Sequence, residues 1–561
     1  MSQDNESSLV STGPGNSQGG RPAPSWYDLR PTILTVIFVL ILGIIFFSYT
    51  STSPSYEDSI GYIHAGERLA IGQGPTYEDP NNEIAGPYFM MYAFQIRRDN
   101  DARMFLGYPP GYPLLIALGI IATGTETTAH FVVPVLALIG LLVTFVLGRL
   151  LSGNDWVGFW SAVLIGLTPA YWEFGTAAWS EIPATTILIS GICLYLISLQ
   201  EHRSRRQLLV LSLLGGLLIG YSFFIRYTNM VILPAIGAYE LVAKKTAIKD
   251  ERERWPFYAI LGLSVLGILL FNNYYYGGPL LTSYSPEHGW YPYAPFSLSY
   301  MLGPSFVSGR SMIEAGKTIW ANFPFAVIAV PFGWFQLPRP SRVLTIVATL
   351  GFLVFYSLYA FAPSGANSRF LIPVFPFIAV SIAQVIVSIG QRIRAKQVRR
   401  LAAVMLFVLL CIPVPKQVRA LESRVSGSDI ARKIAVDIAG RTEPEAVVMT
   451  YVHNDRVAYY GDRSVLNYRR IPASDPVAER YRLEMLEPCL VESVDRLLLN
   501  GIPVYYVEDK TPPFWDSLNI LRDHYEVEKI AESPAMYRLL LPDARTNRTI
   551  DSAPFSCDGS N

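Results

Sequence analysis

The sequence is short of charge. Only 16% of its 561 residues are Asp, Glu, Lys or Arg, against roughly 25% in typical soluble domains. Basic and acidic side chains balance at 45 each, so no net field exists to favour nucleic acid. Cysteine is scarce too. Four in the whole chain make neither a disulfide scaffold nor a cysteine metal cluster. Cys193 and Cys411 fall in apolar runs. Cys489 and Cys557 fall in the polar C-terminal region, where pairing and two free thiols both remain open. No HExxH or other metal spacing occurs, and no glycine-rich phosphate loop follows a strand signal. Residues 1–25 lack the basic-then-apolar pattern of a cleaved signal peptide. Their Ser, Gly and Pro content reads as a disordered tail.

Apolar residues fill the gap, at 51% of the chain. Runs of roughly the ~20 residues needed to span a bilayer recur through the first 415 positions. They predict a polytopic α-helical membrane protein with about 11 spans, at 32–50, 130–148, 156–173, 180–200, 207–225, 227–243, 256–276, 318–337, 343–361, 370–390 and 400–415. A further run, "GYPLLIALGIIAT" at 111–123, is too short and is expected to dip in without crossing. Basic clusters at 203–206, 244–254, 339–342 and 392–400 are separated by pairs of spans, so all can face the cytoplasm. The N-terminus is then cytoplasmic, and residues 51–129 form a large outer loop with juxtamembrane helices.

From about 417 the composition turns soluble. Strand signals "EAVVMTYV", "SVLNYRR" and "VYYVED" alternate with helical patterns and predict a C-terminal α/β domain over 417–561, outside the membrane. It reads as an accessory domain. Asn547, in "NRT", matches a glycosylation acceptor. The preceding domain covers 26–416.

This topology collects the unusual charges on the outer side. "SPSYEDSIGYIHAGERLA" puts Glu57 and Asp58 just beyond the first span. Ser55 three residues before Asp58 resembles a capping box, and a helix dipole favours a carboxylate there. An ionised Asp58 can equally accept a proton from a hydroxyl nucleophile. Glu181 opens a span, as an interfacial acid or as a second acid of a site. Arg226 and Arg369 lie at outer span ends, where each can contact a headgroup or hold a phosphate in a bidentate grip. Arg97, Arg98 and Arg103 are either solvated loop charges or phosphate contacts. His288 and Tyr284 lie in an aromatic outer loop, which suits an interface belt or a sugar-stacking wall.

These motifs line up with a known family. "EDSIGYIHAGERLAIGQG", "YPPGYPLL", "SEIP", "FFIRYTN", "NNYYYGGPLLTSY" and "SRFLIPVFPFIA" occur in that order on one side of the membrane. Together they resemble the GT-C superfamily of polyprenyl-phosphate-sugar-dependent glycosyltransferases. The likeness is to glycosyltransferase family 39, with its protein O-mannosyltransferases, and to the lipid A aminoarabinose transferases. The catalytic acid of that family stands four residues before a Tyr, and Asp58 stands four before Tyr62.

The resemblance implies an inverting membrane hexosyl- or pentosyltransferase. It would move sugar from an undecaprenyl- or dolichyl-type phosphate to a hydroxyl of a protein, lipid or glycan in the cell envelope. Asp58 would be the base, with Glu57 and Glu181 as further acids. Arg226, Arg369 and Arg103 would hold the donor phosphate. Tyr62, Tyr108, Tyr284 and His288 would line the groove, and a divalent cation is an open possibility. Aminoarabinose transferases carry a Lys before the Pro pair, where this chain has Gly107 and Tyr108. A transporter or lipid flippase is the alternative. It would carry its ionisable groups near mid-span. If Asp58, Glu181, Arg226 and Arg369 gather at one place, the transferase reading gains.

Overall fold

The computed structural model describes residues 29–54, 56–97, 103–200, 204–243, 254–285, 296–303, 310–450, 453–467, 482–508 and 517–543. Ser55, Arg98, the cluster at 244–253, His288, Asn547, Cys557 and the N-terminal tail lie outside them.

The chain enters through α1 (Arg30–Ser48), an almost wholly apolar helix. The long first loop, expected on the outer side, follows. Helix α2 (Glu57–Ala70) is followed by strand β1 (Thr76–Tyr77), helix α3 (Asn81–Ala85) and strands β2 (Phe94–Arg97) and β3 (Met104–Leu106). The strands form a small antiparallel sheet in the order β1-β3-β2, which the sequence pattern did not announce because its strands are two to four residues long. The short apolar run forms α4 (Gly111–Thr123). At 13 residues it is ~20 Å long, short of the ~30 Å hydrocarbon layer.

The bundle continues through α5 (Thr128–Ser152), α6 (Asp155–Gly166), α7 (Pro169–Gly175), α8 (Glu181–Ser198), α9 (Arg205–Ile225), α10 (Leu233–Ala243) and α11 (Trp255–Tyr276). After the short α12 (Leu298–Leu302) come α13 (Ser311–Asn322), α14 (Ala326–Gln336), α15 (Arg339–Ser357), α16 (Phe375–Arg392), α17 (Lys396–Cys411) and α18 (Val414–Gly440). Among the described residues eight helices or helix runs are long and apolar enough to cross a membrane; this is an integral membrane protein.

Three of the expected spans are broken. Residues 156–173 divide into α6 and α7 at Leu167 and Thr168, with Thr168 capping the second piece. Residues 227–243 begin as a 3₁₀ helix, Tyr227–Ile232. Residues 318–337 bend by 80° between α13 and α14. At that bend Pro324 has no N–H to offer and Phe325 takes a left-handed φ of 68°. A second 3₁₀ stretch, Gly365–Val374, leads into α16.

The last apolar helix ends at Cys411, and a second, polar helix follows it directly. Helix α18 carries on to Gly440, so a helix runs through the position where the composition changes. The C-terminal domain then adds β4 (Val447–Met449), α19 (Asn454–Gly461), β5 (Ser464–Leu466), α20 (Arg482–Leu499), β6 (Val504–Val507), α21 (Ser517–His524), β7 (Glu526–Glu532) and β8 (Ala535–Leu540). Its sheet order is β5-β4-β6-β8-β7. The first three strands are parallel and the last two antiparallel. Cys489 is in a disulfide.

The outer loop and this domain share a core. Ala85, Tyr88 and Phe89 are buried with Val447, Leu466 and Val494. Phe89 bridges the free edge of β5 at Leu466. Ser493 Oγ donates to the Ala85 carbonyl at 2.7 Å. On the membrane side, the Arg424 guanidinium of α18 donates to the carbonyls of Glu173 (2.5 Å), Thr176 (3.0 Å) and Tyr49 (3.3 Å) and to Thr176 Oγ1 (2.6 Å). One arginine thus joins the ends of α1 and α7 to α18. Charge-assisted hydrogen bonds to buried acceptors contribute ~1.5–3 kcal/mol each. We predict that Arg424→Ala lowers stability by on the order of 3 kcal/mol, read as a lower Tm in detergent, with Arg424→Lys recovering part of the loss.

Candidate functional site

Helix α2 begins at Glu57, with Tyr56 in extended conformation at the cap and no side-chain capping bond there. The first helical turn presents Glu57 and Asp58 at the N-terminal end of the helix, where negative charge is stabilised. Gly61 on this helix meets Ala93 of the loop, so a Cβ would collide. Helix α4 packs alongside α2 and starts at Gly111, where a Cβ would lie 2.6 Å from the Phe224 carbonyl of α9. Only glycine permits that approach, and Tyr221 reinforces it with a 2.7 Å hydrogen bond to the Gly111 carbonyl. The "YPPGYP" turn is thereby pinned against the end of α9, next to Arg226.

Both arginines arrive where helical geometry changes. Arg226 ends α9 and precedes one 3₁₀ stretch; Arg369 lies inside the other. Irregular backbone at membrane depth is tolerated where it faces protein or a polar cavity. Asn229 helps here by donating to the carbonyls of Ala184 and Ser222 at 3.3 and 3.5 Å.

These elements bring four charges together. Arg369 Nη2 donates to Asp58 Oδ2 at 2.8 Å. Its Nε stands 3.0 Å from Glu181 Oε1, an ion-pair contact without hydrogen-bond alignment. Arg226 Nη1 donates to the same Glu181 oxygen at 2.6 Å and to Ser180 Oγ at 3.1 Å. Tyr62 donates to Ser180 Oγ at 3.2 Å, and Tyr108 donates to Asp58 Oδ1. The Arg369 guanidinium also lies 3.7 Å over the Trp179 ring, and both arginines face Phe370. Glu181 is only 1% exposed, while Asp58 keeps 17%. Asp58 is thus the acid that a ligand can reach.

Burial, together with the neighbouring Asp58 carboxylate, pushes the Tyr108 hydroxyl well above its ordinary range, so it remains a donor. Tyr284 is half-buried nearby, and the charges of Arg226 and Asp58 act on its hydroxyl. The charge of Glu57, and to a lesser extent that of Asp58, acts on Asp455 of α19. Arg103 is not brought to the cluster. Its guanidinium stands 5.7 Å over Phe105 in a separate cavity. Among the described residues no three His, Cys, Asp or Glu side chains converge to hold a metal ion.

Several participants were not singled out from sequence. Ser180 and Trp179 immediately precede Glu181, so the "WSEIP" context carried that signal. Tyr112 packs edge-on to Tyr62 at 5.0 Å and is the second Tyr of "YPPGYP". Asp455 gave no local signal. It is 2% exposed, accepts from the Tyr92 amide at 2.6 Å and leaves Oδ2 without a partner. Burial first, then the charge of Glu57, raises it well above the usual carboxylate range.

The same domain grips α2 further along. Tyr459 donates to Glu67 Oε1 at 2.6 Å, and Tyr460 donates to the Pro54 carbonyl at 2.8 Å. His64 lies among Tyr77, Phe94 and Tyr459.

Fold and site together define a polytopic membrane protein with a charge-paired site at one end of its bundle, roofed by its first loop and its C-terminal domain. Solved structures share this fold. ArnT from Cupriavidus metallidurans bound to undecaprenyl phosphate aligns with a TM-score of 0.57 at 15% identity, over 93% of this chain and 100% of that one. The oligosaccharyltransferase AglB of Archaeoglobus fulgidus, in complex with an inhibitory peptide and a dolichol-phosphate, aligns at 0.53 and 11% identity, over 91% and 74%. No protein-family model and no curated protein matches the sequence.

Burial raises the Glu67 carboxyl to about 7, against the lowering effect of Tyr459, and depresses His64 to about 4. A raised acid adds stability at low pH that is lost as pH climbs towards 7. A depressed imidazole does the opposite, losing stability as pH falls from its ordinary value of 6.5 towards about 4. The Tm of Glu67→Gln relative to wild type should therefore be higher at pH 8 than at pH 5. An equal difference at both values would contradict the assignment.

Proposed function

We propose that this protein is a glycosyltransferase that moves a sugar from a polyprenyl-phosphate donor to an acceptor hydroxyl at the outer membrane face, inverting the anomeric carbon. The carrying observation is the convergence of Asp58, Arg369, Glu181 and Arg226 at one end of a GT-C bundle. The ArnT and AglB structures hold undecaprenyl phosphate and a dolichol-phosphate, which supports a lipid-phosphate donor here. The spacing of basic clusters supports a cytoplasmic N-terminus and an outer C-terminal domain.

In the proposed reaction the acceptor oxygen attacks the anomeric carbon opposite the phosphate. The carbon–oxygen bond to phosphate breaks, and its electron pair leaves with the lipid phosphate. The hydroxyl proton passes to Asp58. Each Asp58 oxygen accepts one hydrogen bond in the structure and retains capacity for another.

The charge change is self-consistent. Asp58 loses its negative charge as the phosphate gains one, so the Nη2 of Arg369 is freed from the former as the latter requires it. Glu181 holds both guanidiniums in register for that exchange, and preorganised charge of this kind is commonly a leading contribution to rate. Tyr62, Tyr108 and Tyr284 line the acceptor side.

A transporter would be expected to carry its ionisable groups near mid-span. Here Glu181 is the first residue of α8 and Arg226 follows the last of α9, which favours the transferase.

Asp58→Asn preserves shape and removes the base. Transfer from a lipid-phosphate sugar should fall by roughly 10²–10⁴-fold, in a protein that still folds but with a lowered Tm because Arg369 loses one of its two carboxylate partners. Near wild-type turnover would overturn the role of Asp58.

A further inference from the structure

Ten residues of α2 separate Asp58 from Arg68, ~15 Å along a helix axis. Beyond that end of α2 opens a cavity of about 610 Å³, within the range of small-ligand sites. Its walls come from the end of α2, from β1 and β3, and from the end of α11. Two guanidiniums line it, Arg68 and Arg103, with Glu78 as the acid.

The Arg68 side chain is only 21% exposed, yet its contacts are slack. Its Nη2 reaches Thr76 Oγ1 and Glu78 Oε1 at 3.5 Å each. Its Nε is shielded from solvent and has no hydrogen-bond partner. Nη2 contacts at the outer limit of hydrogen-bond distance leave room for a closer acceptor on this guanidinium. Glu78 is 56% exposed and can turn to water when displaced.

The opposite wall fixes the depth in the membrane. Tyr274 and Tyr275 close α11, an apolar helix long enough to span. Tyr276, the next residue, donates to the Leu106 carbonyl of β3 at 3.2 Å, so this end of α11 meets the outer loop. Tyr275 stacks on Phe271 at 4.3 Å and Tyr274 is 66% exposed. Tyrosines at a span end sit at headgroup level. The cavity therefore combines guanidiniums inside with aromatic, lipid-level surface at its rim.

We propose that this cavity binds the phosphate of a membrane amphiphile, with Arg68 and Arg103 as the phosphate ligands and Tyr274 and Tyr275 against the first carbons of its tails. It is distinct from the Asp58 cluster and does not depend on the transfer reaction.

The test is calorimetric titration of the full chain in detergent with dioctanoyl phosphatidic acid, dioctanoylglycerol and inorganic phosphate. Phosphatidic acid should bind most tightly. Arg68→Gln and Arg103→Gln should each weaken it by about tenfold or more with Tm retained; should Arg68→Gln fail to fold, Arg103→Gln carries the comparison. Inorganic phosphate binding as tightly as phosphatidic acid would assign the cavity to the free ion and overturn the headgroup. Equal binding of dioctanoylglycerol, or unchanged binding by the variants, would overturn the site. Sugar transfer is not read, so neither result bears on Asp58.

Discussion

Arg369 stands between two carboxylates from distant parts of the chain. Asp58 opens the first outer helix, and Glu181 opens a span more than a hundred residues later. Without the guanidinium, Glu181 would be a nearly fully buried acid and Asp58 a second like charge close by. Removing one partner of a buried ion pair is strongly destabilising because the other charge is left uncompensated. Arg226 completes the balance on Glu181. The quartet is neutral as a whole, which lets it exist at the edge of an apolar bundle. Much of the surrounding architecture serves to hold these four groups in place: the two 3₁₀ entries, the glycine contact of α4 with α9, and the Trp179 face beneath Arg369.

The second constraint is the C-terminal domain. Its sheet shares a core with the loop around Phe89, its α19 reaches α2 through Tyr459 and the loop amide of Tyr92 through Asp455, and its leading helix is locked by Arg424. The outer loop, whose strands are too short to stand alone, is thereby held between bundle and domain. Order in α2, and with it the direction in which Asp58 points, is a property of that sandwich. The domain reads as accessory in the sequence, yet in the fold it supports the helix that carries Asp58.

Much of this was legible beforehand because bilayer physics writes itself into composition. Apolar length marked the spans, and the charges that gather in the fold lie beside the ends of those runs. Asp58, Glu181, Arg226 and Arg369 stood out since an ionisable group beside an apolar run is costly without a purpose. The C-terminal strands were readable from their Val and Tyr content. The breaks at Leu167 and Phe325 were not, because hydropathy averages over a window and does not register a local change of helix direction. The short loop strands escaped for the same reason.

The sequence by itself determined that the chain is a polytopic membrane protein, the helix that presents Asp58 and the set of charges available to meet it. Only the tertiary structure decided which charges meet. Arg103, near the first acids in the chain, goes to Arg68 and a separate cavity, while Arg369, more than three hundred residues away, comes to Asp58. Pairing of charges falls off over a few ångströms in space, and separation along the chain carries no information about that distance once helices cross and pack.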